Sequence, residues 1–502
     1  MPFEPVFENL NYRGRCGETV NNIKIDCRTE VPSDTVRKIV NVEGSCGVYC
    51  GEKSEGKAEF FGRINFFVLY ETVEGELKKC EGGAEFKDVA ENSAITGTSV
   101  VRFSCEVEKT DISTSGVNLS ISAVVSVKGK IFVNSEVRAI SGGEGIIADV
   151  KERHILKTYS AAEISYPVDE EFEVNYKVAE VIGHGAKAVI TAVQCGVGAI
   201  ICDGEIYLTE IFLQSGEKKD IIREDRTIPF RIEAECEEAM PALSATARVN
   251  VKTVKTDVAV DEEGGVSTVS VAVTLDVGGE AESLESVNVA ADAFSTECEL
   301  ELKKEKAAFF AGDGLKTVTL KAEGRCAVEE LPQTAKLLGV LGERADIISV
   351  EKTGASAVVS GTVSVTAVFS DGEDDIVVRK VEFPFEKNID MEKEFDEIEI
   401  SVVAERAHGK IFTFTELDVD TDLVFTASVS KYYEFPYLSQ VTEGEKKFPE
   451  QAAVSVYIPL VGEGLWDLSK RLNVSPEKLI ATNTDLQFPL SGKERIVVYR
   501  QK

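Results

Sequence analysis

Three histidines, His154, His184 and His408, are the whole supply of imidazole in 502 residues. No two of them stand at the spacing that turns a pair of rings toward one metal ion. Cys46 and Cys50 form CGVYC, one residue longer than the redox pair Cys-x-x-Cys and without a second pair to complete a zinc set. They read as free thiols. Asp418, Asp420 and Asp422 alternate like the first ligands of a calcium loop, but Leu423 stands where that loop needs glycine and Val429 where it needs glutamate. The polar face of a strand accounts for them. No glycine-rich loop runs into Lys-Ser/Thr to cradle phosphate, and no Gly-x-Ser-x-Gly elbow presents a nucleophile. With 87 Asp and Glu in the chain, close carboxylates arise by chance, so acidic density is no sign of a pair tuned for glycan hydrolysis. The residues point away from an enzyme, and no metal and no cofactor are expected.

The elements that carry these residues follow from composition and pattern. A chain of this length exceeds one hydrophobic core, so several domains are expected. The aliphatic residues are weighted to Val and Ile, which favour strands. Against 55 Lys and Arg the acids leave a net charge of −32, which repels phosphate backbones; with no basic stripe, nucleic acid is excluded as a partner. Eleven cysteines, an odd number scattered from Cys16 to Cys326, suit thiols in a reducing compartment. The opening MPFEPVFENLNYRGRC has neither a cationic nor an apolar signal region, and no run of eighteen apolar residues occurs. A cytoplasmic protein with no transmembrane segment is the expectation.

Alternation of apolar and polar residues, as in Val266 to Val277 and Val249 to Val260, writes half-buried strands. Helical periodicity is nearly absent before residue 464, although Pro332 to Gly342 has room for a short helix. One pattern, Gly-x-[IV]-x-[FLV]-x-x-[LIV]-[YF], occurs at Gly62, Gly204 and Gly361. Each copy is followed by an acidic turn segment, beginning at Glu74, Ser215 and Asp371, and then by a phenylalanine: Phe86, Phe230 and Phe385. Each is preceded by an apolar-Pro pair: Val31-Pro32, Tyr166-Pro167 and Leu331-Pro332. The order describes a turn, a strand, a hairpin and a return strand ending in an aromatic. The spacing suits independent β-rich, sandwich- or barrel-like repeat domains. Glycine-rich and polar stretches at Ser141, Tyr159 and Ala311 place these at 1–145, 155–290 and 315–440, with a linker at 441–453.

From Val454 the pattern changes to strand, helix, helix, strand. Leu465, Leu468, Ser469 and Leu472 fall on one helical face. Ser475, Pro476 and Glu477 write the start of the second helix as cap, first-turn proline and favourable charge, with Leu479 and Ile480 facing the same core. This α+β segment, 454–502, resembles the LysM domain through Tyr457, Gly462, Glu463, Leu465, Trp466, Leu472, Val474, Leu479, Asn483, Pro489, Gly492, Ile496 and Val498. The resemblance implies a shallow groove for N-acetylglucosamine glycans such as peptidoglycan, formed here by Gly462, Glu463, Gly464 and Leu465 with Asn483, Thr484, Asp485 and Leu486. Two residues depart from the family: Gly464 replaces Thr or Ser, removing a helix cap and a ligand hydroxyl, and Pro459 replaces Val. Trp466, the single tryptophan, lies one step off the helical stripe and is expected at the edge of the module's core. The segment carries seven Lys and Arg against five Asp and Glu, leaving 48 against 82 elsewhere, so a module at +2 is tethered to a body at −34.

Three upstream β modules before a LysM-like end resemble the SPOCS-domain family of spore coat and envelope assembly proteins. That resemblance implies a scaffold in the mother-cell cytoplasm that assembles at the forespore surface by binding a spore coat morphogenetic protein, a SpoIVA-like ATPase. It also gives a LysM module a protein partner in place of peptidoglycan.

Overall fold

The computed structural model describes residues 3–31, 36–115, 118–215, 220–260, 265–371, 375–447 and 454–499. Strands dominate, and all the pairings among them are antiparallel.

The first unit consists of β1 (Glu4–Glu30), β2 (Val36–Ser54), β3 (Lys57–Thr72), β4 (Leu77–Glu91), β5 (Val100–Ser115) and β6 (Asn118–Glu144). Strands β2-β3-β4 form a meander, and β1-β6-β5 a second sheet. Alternate residues of β3, among them Phe60, Ile64, Phe66, Val68 and Tyr70, meet Ile121, Ala123 and Val125 of β6 in one core between the sheets. The period of two in the sequence is the reason: every second side chain leaves the same face of a strand.

The same plan recurs twice. The second unit has β7 (Ile147–Ser160), β8 (Ile164–Val174), β9 (Val178–Cys195), β10 (Ala199–Gln214), β11 (Ile221–Glu235), β12 (Ser244–Val260) and β13 (Ser267–Phe294). Its meander is β9-β10-β11, and β13 pairs β12 along one edge and β7 and β8 along the other. The third has β14 (Cys298–Ala327), β15 (Lys336–Thr353), β16 (Ser356–Ser370), β17 (Ile376–Asp390), β18 (Glu397–Thr413) and β19 (Glu416–Lys446), ordered β15-β16-β17 and β14-β19-β18.

The glycine pattern occupies the middle strand of each meander, and each motif glycine faces its downstream phenylalanine: Gly62 pairs Phe86, Gly204 pairs Phe230 and Gly361 pairs Phe385. The ring lies over the glycine so closely that a Cβ there would stand 2.1 to 2.4 Å from Cζ. Only a residue without a side chain fits. Seven residues after the glycines, Leu69, Ile211 and Val368 leave their own cores and meet one another, with Val40, Ile182 and Leu341, in a cluster shared by the three units. The long strands form a second shared cluster, in which Leu10, Ile155, Val287, Phe309 and Tyr437 converge.

Polar contacts between the outer sheets run in one direction around a ring. Glu280 of β13 meets Arg102 of β5, Lys130 of β6 meets Glu399 of β18, and Gly312 of β14 donates its N–H to Glu282 of β13 at 2.9 Å while facing Thr246 of β12. Each unit therefore touches both others.

Several expectations are corrected. Residues 155, 290, 315 and 440, expected near domain edges, fall inside β7, β13, β14 and β19. Of the glycines that suggested edges, Gly142 and Gly143 lie in β6, Gly145 makes the turn between β6 and β7 at φ 75°, and Gly312 and Gly314 sit at a shift of register in β14. Lys336 to Gly342 is strand, because Leu341 serves the shared cluster. Tyr166-Pro167 lies within β8, whose outer edge needs no proline N–H. Pro32, most of the acidic segments at Ser215 and Asp371, and residues 448–453 of the expected linker lie outside the described residues; Val441–Lys446 continues β19.

After β19 come β20 (Val454–Tyr457), α1 (Leu465–Leu472), α2 (Pro476–Thr482) and β21 (Ile496–Tyr499), with β20 antiparallel to β21. Both helices found among the described residues lie here, and neither is long and apolar enough to cross a membrane.

Candidate functional site

The carboxyl-terminal unit is built around Leu468, Leu472, Val474, Leu479, Leu490, Ile496 and Val498. Its helices begin and end where the local chemistry dictates. Ser475 caps α2 by accepting from Lys478 N at 3.4 Å, Pro476 opens the first turn, and Asn473 closes α1 in the left-handed region at φ 54°. Gly464 begins α1 without a side-chain cap. Ile480 is a correction: it points outward, 46% exposed, while Leu479 alone of that pair enters the core.

Among the residues expected to line a glycan groove, Gly462, Glu463 and Asn483 have their polar groups bonded within the unit. Gly462 N donates to Leu490 O at 2.7 Å and Leu490 N to Glu463 O at 3.0 Å, tying the loop before α1 to the segment after α2. The Glu463 carboxylate is buried, accepting from Arg471 Nε and Nη2 at 2.7 and 2.8 Å and from Leu460 N at 2.9 Å. The bond from Arg471 holds it below the usual carboxylate range. Asn483 donates from Nδ2 to Leu479 O at 2.9 Å and to Val497 O at 2.8 Å, and its Oδ1 accepts from Val497 N at 2.8 Å. Both ends of the amide are used in fastening α2 to β21. Leu486 packs against the core, and Thr484 and Asp485 are exposed. The groove residues therefore act first as the frame of the unit.

Asn483→Ala should accordingly lower the stability of this unit by about 2 kcal/mol, since three hydrogen bonds are lost and Val497 keeps an unpaired N–H and C=O. Trp466 fluorescence during thermal unfolding reads the effect; an unchanged transition would return Asn483 to the role of a ligand residue.

Trp466 lies outside the unit's own core cluster. Its ring meets Phe294 of β13 edge-on at 5.3 Å, and Nε1 donates to Asp292 Oδ2 at 3.0 Å. Lys470 Nζ reaches the same oxygen at 2.7 Å, and Asn473 Nδ2 donates to Thr296 O at 3.0 Å. Burial raises the Asp292 carboxyl, but the bonds from Lys470 and Trp466 outweigh it and hold the group below its ordinary value. One face of α1 is thus fastened to the second unit. Sequence reasoning missed this latch, because neither Asp292 nor Phe294 carries a local signal of its distant partner.

Another part of the unit's surface is apolar and open. Along β20 and the residues after it, Val454, Val456, Ile458, Leu460 and Val461 are between 52 and 84% exposed, and Tyr499, opposite Val454, is 64% exposed. Tyr457, in alternation with them, turns into the core. An apolar ridge on a small unit is the kind of surface that marks a contact site.

Elsewhere the candidate chemistry disperses. Asp418, Asp420 and Asp422 lie on β19, where Arg325 binds Asp418 at 2.7 Å and Lys321 binds Asp420 at 3.1 Å. His184 is half-buried beside Phe67, and this burial lowers its pKa. Glu210 is pushed up to about 8 by burial, with Thr256 Oγ1 donating to it at 2.8 Å, and Glu405 to about 7 by burial. Two surface grooves, about 260 Å³ beside Asp169, Glu171 and Asp257 and about 470 Å³ beside Glu18, Asn21 and Glu91, contain none of these perturbed groups. Comparison of the chain with protein-family models, with curated proteins and with solved structures finds no match.

Proposed function

We propose that this protein is a non-enzymatic scaffold of spore coat assembly, in which three copies of one β module of SPOCS type carry a LysM-type module that docks a protein partner. By the resemblance of its sequence, the partner is a SpoIVA-like ATPase of the coat, met in the mother-cell cytoplasm at the forespore surface. The observation that carries the docking role is the exposed ridge from Val454 to Val461 on a unit in which Gly462, Glu463 and Asn483 already have hydrogen-bond partners of their own. A glycan is recognised by free, convergent donors and acceptors; a protein surface is recognised by apolar area with a polar rim. The three modules, joined through shared apolar clusters, supply a base, and the Trp466 latch fastens the LysM-type module to it.

Co-purification of the full chain with the coat ATPase from sporulating cells tests this reading, with a chain lacking residues 454–502 as the comparison. Binding is expected to be lost with the deletion. Retained binding, or sedimentation of the full chain with purified peptidoglycan in place of ATPase binding, overturns it.

A further inference from the structure

The pair of cysteines that the fold brings together is not the pair that is close in sequence. Cys46 lies on β2 and Cys105 on β5, the facing edge strands of the two sheets of the first unit, and both half-buried side chains pack against its core. Two residues along each strand, the strands touch again: a Cβ on Gly44 would stand 3.4 Å from Val107 Cγ1. At this junction the Cys46 and Cys105 side chains interact with one another. Cys50, by contrast, is exposed, and its thiol bonds Gly51 O.

The other two units show what the junction needs for packing alone. Cys46 pairs Ile64, two residues after Gly62; the matching positions are Ala188, opposite Ile206, and Ala345, opposite Val363. Cys105 pairs Val127 of β6; its counterparts are Val249, opposite Val277, and Val402, opposite Phe425. An Ala-Val pair fills the same place against each of the other two cores. A thiol pair is therefore a departure at one unit of three.

We infer that Cys46 and Cys105 form a redox site, closing to a disulfide that staples the two sheets of the first unit when the protein meets a small-molecule disulfide. Cys105, as its thiolate, is the attacking group. Its thiolate cleaves the reagent's S–S bond, forming a mixed disulfide and releasing one thiolate. Cys46 then loses its proton, attacks the Cys105 sulfur and expels the second thiolate. Two protein thiols are oxidised, one small-molecule disulfide is reduced to two thiols, and no other reactant is needed.

The full-length chain, incubated with oxidised glutathione and then alkylated and digested without reductant, should yield a peptide linking Cys46 to Cys105. The oxidised form should unfold at a higher temperature than the reduced form, and dithiothreitol should reverse the shift. Cys46→Ala, which copies the residue of the other two units, should fold normally and lose both the link and the shift. Cys50→Ser should keep both. A Cys46–Cys50 link, glutathione retained on Cys105 in the wild-type chain, or both thiols left reduced would overturn the inference.

Discussion

Replacing Arg223 by methionine is expected to destabilise the chain by about 3–5 kcal/mol, the usual cost of leaving a buried charge without its partner. Arg223 of β11 crosses from the second unit to the third. Its Nη1 and Nη2 donate to Glu343 of β15 at 3.0 and 2.8 Å, its Nε to Asp225 at 2.7 Å, and Nη1 also to Val340 O at 3.2 Å. The Arg223 and Glu343 side chains are only 11 and 7% exposed. Burial raises the Glu343 carboxyl, but the Lys187 charge and the Arg223 bonds outweigh it and hold the group below its ordinary value. A carboxylate with a lowered folded pKa contributes stability above its unfolded pKa and loses it as the pH falls through the folded one. Arg223→Met should therefore be most damaging at neutral pH and less so in acid, where wild type has already lost this contribution. Arg223→Lys keeps the charge but not the fork and should fall between. Chemical denaturation of the full chain at neutral and acid pH reads these differences. A neutral-pH loss within about 0.5 kcal/mol, as for an exposed pair, would show that the cluster does not hold the units together.

The second large effect is expected at the motif glycines. In Gly204→Ala the new Cβ would stand 2.2 Å from Phe230 Cζ and 2.4 Å from Val189 O, and neither neighbour moves easily: Phe230 is buried, and Val189 belongs to the adjacent strand. Overpacking of this kind costs about 3 kcal/mol. Gly62→Ala and Gly361→Ala meet Phe86 and Phe385 in the same way and should behave alike. The ring contact is separable from general strain by a double-mutant cycle. Phe230→Ala removes one of the two clashes, so the pair Gly204→Ala, Phe230→Ala should lose less than the two single losses together. A strictly additive pair would mean that the glycine is placed for some other reason.

How far these features were legible depended on whether their cause was local. The glycine and its phenylalanine could be read because a hairpin fixes the offset between strands, and Thr72 to Glu76 closes the first of them with Gly75 at φ 79°, a conformation glycine enters freely. The helices after residue 464 were legible for the same reason: Ser475 and Pro476 write the start of α2 within two residues. The ring of three units was not. Leu69, Ile211 and Val368 look like any strand residue on an apolar face, and nothing in their neighbours says that they face other units. In the glycine-rich stretch from Ser141, Gly142 and Gly143 lie in β6 opposite Val6 and Pro5 while Gly145 makes the turn into β7, because glycine serves irregular strands as well as turns. In the groove, the residue types were identified but not their partners. Asn483, expected in the groove, bonds Val497, and Trp466, expected at the edge of its module's core, bonds Asp292.

The docking role rests on the outward ridge, and Val456→Glu in the full chain probes it most directly. The side chain is 60% exposed and outside the core cluster of its unit, so the unfolding transition should not move. Binding to the purified coat ATPase, followed by calorimetry or surface capture, should fall by at least about tenfold, the loss expected when a charge enters an apolar contact. A variant that folds as wild type and binds the ATPase with unchanged affinity would contradict the account.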